Sequence, residues 1–170
     1  ADGFGFCDVV LGWDSDDQLY DNTQMTGWDT GWPNALVRVV PETGRQIPFE
    51  DGRWLFLAEF TGDAEAVCPR GLLHRVLARA DKMGYRVNAA FEYEFFVFLE
   101  TPHSIRDKNY RDLKPVAPGN TGYSLLRTGA LGDFYSDILD ICTAIDIPLE
   151  GVHEEMGPGV IEAAITVTDG

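Results

Sequence analysis

Ala90-Phe-Glu-Tyr-Glu-Phe-Phe-Val-Phe98 decides how the rest of the chain is read. The run is so apolar and aromatic that it predicts a buried strand, yet it carries Glu92 and Glu94 two residues apart. Side chains alternate faces along a strand, so both carboxylates project to one side, where like charges repel unless a cation or a shared proton compensates them. Two acids so placed point to a metal site.

Working outward, the segment before this run, Cys68 to Gly84, predicts a helix. Pro69 suits a first turn, Leu72, Val76, Leu77 and Ala80 recur at helical spacing, and Gly84 is the stop signal. The strand is expected to extend over 86–99, followed by a polar surface excursion from Glu100 to about Gly122 that holds Pro102, Pro115 and Pro118. Helical spacing returns through Phe134, Ile138, Ile141, Cys142 and Ile145 and ends before Pro148. Two strands, 149–154 and 160–167, then flank the turn Met156-Gly-Pro-Gly159. Toward the amino terminus, short apolar runs at 4–11, 35–40 and 54–60 read as strands of a small sheet. The long loop at 20–33, rich in Gly, Asp, Asn and Trp, is of a length that usually carries function.

Glu154 and Glu162 lie on the two arms beside the Met-Gly-Pro-Gly turn, and are expected to face the same side of a hairpin. With Glu92 and Glu94 they make four strand-borne glutamates, the hard oxygen ligands that Mg2+ or Mn2+ prefers. His153 reads as hydrogen-bonded scaffolding at a strand end, and His74 and His103 lack ligand spacing to any partner. No phosphate-binding GxxxxGK[ST] loop is present. Cys7, Cys68 and Cys142 are odd in number and far apart, which suggests neither a disulfide framework nor a thiolate zinc site, and all three are read as reduced.

The 28 acidic residues against 13 basic ones give a formal net charge of -15, which disfavours binding to nucleic acid or anionic membranes through a basic surface. With 45% hydrophobic residues the chain can bury the core of one ordinary domain or of two smaller pieces. No apolar run approaches the roughly 20 residues that cross a bilayer. A soluble, cytoplasmic protein is expected. A strand starting within the first few residues leads to the expectation of a piece of something longer.

The run Glu92-Tyr-Glu94-Phe-Phe-Val-Phe98 resembles the glutamate-bearing strand that opens the catalytic domain of the glutamine synthetase family, and Glu154-Glu-Met-Gly-Pro-Gly-Val-Ile-Glu162 resembles its later Glu, Pro-Gly turn and Glu signature. The resemblance implies an α+β architecture: part of a β-grasp domain over 1–66, then the first part of a catalytic sheet or barrel with flanking helices over 67–170. It implies that Glu94, Glu154 and Glu162 hold the ion nearer the glutamate substrate and Glu92 the ion nearer the ATP phosphates. Asp21, in Tyr20-Asp21 seven residues before Trp28, is similar to the family's loop aspartate that reaches a neighbouring subunit's site to bind and deprotonate the amine. Tyr123, 31 residues before Glu154, is similar in placement to the tyrosine lining that pocket. Asp21, Tyr123 and Glu154 are thus the catalytic candidates, and Glu92, Glu94, Glu154 and Glu162 the metal candidates.

The activity implied is ATP-dependent ligation of ammonia or an organic amine to the γ-carboxylate of glutamate through γ-glutamyl phosphate, with Mg2+ or Mn2+ and a ring-type homo-oligomer sharing active sites. Val160 stands where the family commonly has Gln, which turns the expectation toward an organic amine. The resemblance covers nearly the whole chain but only the earlier part of a family member, so a fragment is expected, without the second-metal histidine, the substrate arginines or the ATP pocket. A structural or regulatory relative without catalysis is the alternative. Against it stands the retention of all four glutamates, given the cost of clustering charge.

Overall fold

The computed structural model describes residues 3–20, 23–120 and 122–169. The chain divides into two compact units, residues 1–87 and 88–170.

The first unit is a three-stranded antiparallel sheet with a helix. β1 (Phe4–Cys7) pairs with β2 (Asn34–Gln46), which pairs with β3 (Trp54–Phe60). The apolar run at 4–11 is a strand only to Cys7. Asp8 turns its carboxylate inward, where it accepts the Thr26 hydroxyl at 3.0 Å, and a 3-10 turn takes over through Leu11. β2 runs past Val40 because Thr43 repairs a bulge there, its hydroxyl donating to the Val40 carbonyl at 2.6 Å while accepting the Leu57 amide at 2.9 Å. A 3-10 segment, Gly62–Val67, leads into α1 (Pro69–Lys82), which packs on that segment and on β3. By this packing α1 falls within the first compact unit, which ends at residue 87.

In the second unit the expected strand over 86–99 is broken. β4 (Asn88–Ala89) pairs with β8 (Thr168–Asp169), and β5 (Glu92–Phe96) belongs to a different sheet. The polar excursion after β5 contains a short helix, α2 (Pro102–Asp107). Its start is fixed by a capping box in which the Thr101 hydroxyl accepts the Ser104 amide and the Ser104 hydroxyl accepts the Thr101 amide. α3 (Leu125–Ala130) and α4 (Gly132–Ala144) follow. The chain then forms the hairpin of β6 (Leu149–Glu154) and β7 (Val160–Ile165).

β7 is the central strand of the order β5-β7-β6, and Ile161 at its heart is fully buried. The hairpin turn depends on Gly159. Its φ is +75°, and a Cβ there would sit 2.8 Å from the Val97 carbonyl oxygen, so only glycine lets the turn approach the end of β5. That approach extends the ladder, with the Val97 amide donating to the Gly159 carbonyl at 2.8 Å.

Candidate metal centre

Strand register decides which residues share a face. Glu94 is opposite Glu162, and Glu162 is opposite His153, so these three form one row across the sheet. The row on one side is Glu92, Ala164 and Gly151; on the other, Phe96 is opposite Val160, and the Glu155 amide donates to the Val160 carbonyl at 3.0 Å. The face therefore gathers Glu92, Glu94, Glu162, His153 and Glu155. Tyr123 joins them. Its hydroxyl donates to Glu155 Oε1, and its ring stacks on His153 with centroids 5.3 Å apart.

Within this group, His153, Glu155 and Glu162 each offer a ligand atom, all within 4.8 Å of one another. His153 Nε2 lies 3.2 Å from Glu155 Oε1 and 3.7 Å from Glu162 Oε1. The electrostatics of the two acids differ. Burial pushes the Glu162 carboxyl above the ordinary range, reinforced by the charges of Glu92, Glu155 and Glu94 and opposed by His153. Glu155 is held below that range, first by the Tyr123 hydroxyl, then by the Met156 amide and His153. The same contact with Glu155 raises the Tyr123 phenol. Two carboxylates and an imidazole converging this closely, one acid raised by burial and by its acidic neighbours, fit a divalent cation: the carboxylate oxygens are the ligands that Mg2+ or Mn2+ takes, and the imidazole nitrogen suits a transition metal better than Mg2+.

The sequence expectations fare unequally. Glu162 lies in the three-residue group, with Glu94 directly beside it in register and Glu92 near enough to raise its carboxyl. Glu92 and Glu94 are, however, exposed instead of buried, because among the described residues β5 is an edge strand paired with β7 on one side. Glu154 corrects the expectation that it shares a side with Glu162. Glu154 is opposite Ile161, so its carboxylate lies on the reverse face, 3% exposed. Glu155 takes the place expected for Glu154, and His153, read as scaffolding, is part of the group. Hairpin parity decides this: an even-numbered residue of one arm is opposite an odd-numbered residue of the other, so two even-numbered glutamates face apart, and that pairing is set by the turn and not by either arm alone. Asp21 lies outside the described residues.

The sequence pattern of the glutamine synthetase catalytic domain matches residues 66–170. The chain belongs to the glutamine synthetase family. It is 39% identical over 166 residues to the type-1 glutamine synthetase 2 of Dictyostelium discoideum, covering 96% of this chain and 32% of that protein. It is 29% identical over 171 residues to a glutamate-isopropylamine ligase of a Pseudomonas species, covering 99% of this chain and 37% of that one. Among solved structures, a novel glutamine synthase homolog superimposes with a TM-score of 0.68 at 20% identity, covering 99% of this chain and 37% of that one, a likeness of fold. The chain thus spans about a third of the length of these glutamine synthetase relatives. The first strands and the helix α1 lie in one compact unit, whereas the catalytic-domain match begins at residue 66, ahead of that helix. No helix among the described residues is long and apolar enough to cross a membrane.

Proposed function

We propose that the full-length protein ligates ammonia or an organic amine to the γ-carboxylate of glutamate, with ATP supplying the phosphate that activates it as γ-glutamyl phosphate. The observation that carries this reading is the convergence of His153, Glu155 and Glu162, with Tyr123 against them, in a chain of this family. A relative named for ligation of isopropylamine to glutamate supports including substituted amines.

His153, Glu155 and Glu162 would hold a Mg2+ or Mn2+ ion, with Glu92 and Glu94 contributing negative potential from the adjoining strand. A bound divalent ion offsets negative charge on the phosphoryl and carboxylate oxygens that meet in such a reaction. The chain's own groups do the positioning. Tyr123 fixes the orientation of Glu155 by donating to Oε1 while the Met156 amide donates to Oε2 at 3.0 Å, so Glu155 stays ionised and correctly turned. The acidic face attracts a protonated amine, and the Tyr123 ring, 64% exposed, offers a π-surface beside it. Asp21 is proposed as the carboxylate that takes the amine's proton in a neighbouring subunit of a ring-type oligomer.

The test is ADP release by the full-length protein with ATP, Mn2+ or Mg2+, glutamate, and a panel running from ammonia through alkyl amines to aryl amines. Glutamate-dependent and amine-dependent ADP release is expected. A protein that binds Mn2+ yet releases no ADP with any acceptor would overturn the ligase reading in favour of a non-catalytic relative.

A further inference from the structure

Glu154 and Glu155 are sequence neighbours on opposite faces of the hairpin, and only Glu155 has an assigned task. Glu154 is 3% exposed, beside the fully buried Ile161, and its Oε1 is buried without a hydrogen-bond partner among the described residues. Tyr135, 6% exposed on α4, has a buried hydroxyl that likewise completes no hydrogen bond, although the Thr128 side chain lies close enough to act on it. Buried polar atoms are rarely left unpaired, because desolvation is not repaid. Here one orphan is an acceptor and the other can donate. The helix α4 packs on β6, which carries Glu154, and the two groups lie within electrostatic reach: burial raises the Tyr135 phenol most, the Glu154 charge next, and the Thr128 side chain opposes them.

We propose that Glu154 and Tyr135 form a hydrogen-bonded couple bridged by one buried water, and that this couple makes Glu154 a positioning residue for the metal centre. The couple pins β6 to α4 on the reverse face. Because a strand alternates, holding Glu154 inward obliges His153 and Glu155 to point to the opposite face, where Glu162 lies; a one-residue slip would carry both away from it. The backbone of Glu154 serves the same end. Its carbonyl accepts the Tyr123 amide at 3.0 Å, and Tyr123 is the residue that orients Glu155 and stacks on His153. The proposal rests on the reading of His153, Glu155 and Glu162 as cation ligands.

The experiment is calorimetric Mn2+ binding to the full-length protein, with thermal midpoints measured without metal, for Glu154→Gln, Glu154→Leu, Tyr135→Phe, Glu154→Leu combined with Tyr135→Phe, and Glu155→Gln. The Gln amide oxygen still accepts from the bridging water, so Glu154→Gln keeps its Mn2+ affinity. Glu154→Leu and Tyr135→Phe each weaken Mn2+ binding by about tenfold, the scale of losing an outer-shell support. The double variant is no weaker than Glu154→Leu alone. A leucine that holds or raises the metal-free thermal midpoint while weakening Mn2+ is a signature that a purely packing role does not produce. Additive losses in the double variant would overturn the couple. Loss in Glu154→Gln as deep as in Glu155→Gln would make Glu154 itself a ligand and overturn it too. Unmoved affinity in Glu154→Leu alongside loss in Glu155→Gln would overturn the proposal alone; unmoved affinity in Glu155→Gln would overturn the cation-site reading and this proposal with it.

Discussion

On one face of the β5-β7-β6 sheet, Glu155 and Glu162 crowd together with Glu92, Glu94 and His153; on the other, the buried Glu154 lies opposite the fully buried Ile161. The carboxylates of the first face repel one another, a cost that His153 and the exposure of β5 offset in part and that a cation relieves. The carboxylate of the second face is buried, with Oε1 lacking a hydrogen-bond partner among the described residues. Glu154, the last residue of β6, and Glu155, the residue after it, thus lie under two regimes, and alternation along the backbone is what separates them.

The largest effect expected from breaking this contrast is on cation binding. Glu155→Gln and Glu162→Gln should each weaken Mn2+ binding by roughly 100-fold or more, beyond the 10- to 100-fold cost of losing an outer-shell partner. Glu162→Gln carries a second signature. Its carboxyl is raised in the folded state, so at neutral pH its ionised form works against folding, and that penalty is relieved as pH falls through the folded value. Without metal, Glu162→Gln should therefore melt above wild type near neutral pH, with the gap closing on acidification. A lower metal-free melting point across that range would mean that the crowding of Glu162 is not destabilising.

The reverse face should respond in the opposite sense. Ile161→Ala removes a fully buried side chain from the central strand and is expected to cost about 2–5 kcal/mol of stability, read by denaturant unfolding of the full-length protein. At temperatures where the variant stays folded, its Mn2+ affinity should stay near wild type. A stable Ile161→Ala protein with poor Mn2+ binding would show that packing at Ile161, and not only the Glu154 and Tyr135 couple, sets the geometry of the acidic face.

Tyr123 probes the join between orientation and ionisation. In Tyr123→Phe, Glu155 loses the largest cause of its lowered carboxyl, so protons compete with the cation at higher pH than in wild type. Mn2+ affinity should fall a few-fold near neutrality, the scale of one hydrogen bond worth about 1 kcal/mol, and fall further on moving to mildly acidic buffer. A loss that does not vary with pH would assign Tyr123 to packing alone.

Much of this arrangement was legible in the residues. The alternation at 92–96 placed Glu92 and Glu94 on one side, and the Gly-Pro-Gly punctuation marked the hairpin whose arms are β6 and β7. What was not legible was global. Whether Glu154 or Glu155 faces Glu162 depends on which residues of the two arms pair, and that is set by the turn at Gly157–Gly159 and by its approach to Val97, a contact distant in sequence. The burial of β5 was over-read for a similar reason: apolar composition reports what a strand could bury, while exposure depends on which neighbours flank it. His153 looked isolated in sequence because its partners are Glu155, two residues on, and Glu162, across a hairpin.

The smallest expected effect concerns a carboxylate that has what Glu154 lacks. Glu100, its side chain 4% exposed, accepts the Lys108 ammonium, the Ser104 hydroxyl at 2.6 Å and the Lys114 amide at 2.9 Å, so it ties together both ends of the segment that contains α2. The Lys108 contact first, then those with Ser104 and Lys114, lowers its carboxyl from 4.5 to about 2. A lowered folded value means that stability is present above the unfolded value near 4.5 and is lost as pH falls toward 2. Glu100→Gln should therefore lower the thermal midpoint slightly at neutral pH, and the difference from wild type should shrink steadily between pH 4.5 and 2. Amide exchange at 101–114 should rise in the variant at neutral pH while that of β7 stays unchanged. If the difference in midpoint does not depend on pH, the ionised state of Glu100 is not what holds the segment, and donor-rich enclosure would no longer distinguish it from the orphaned carboxylate of Glu154.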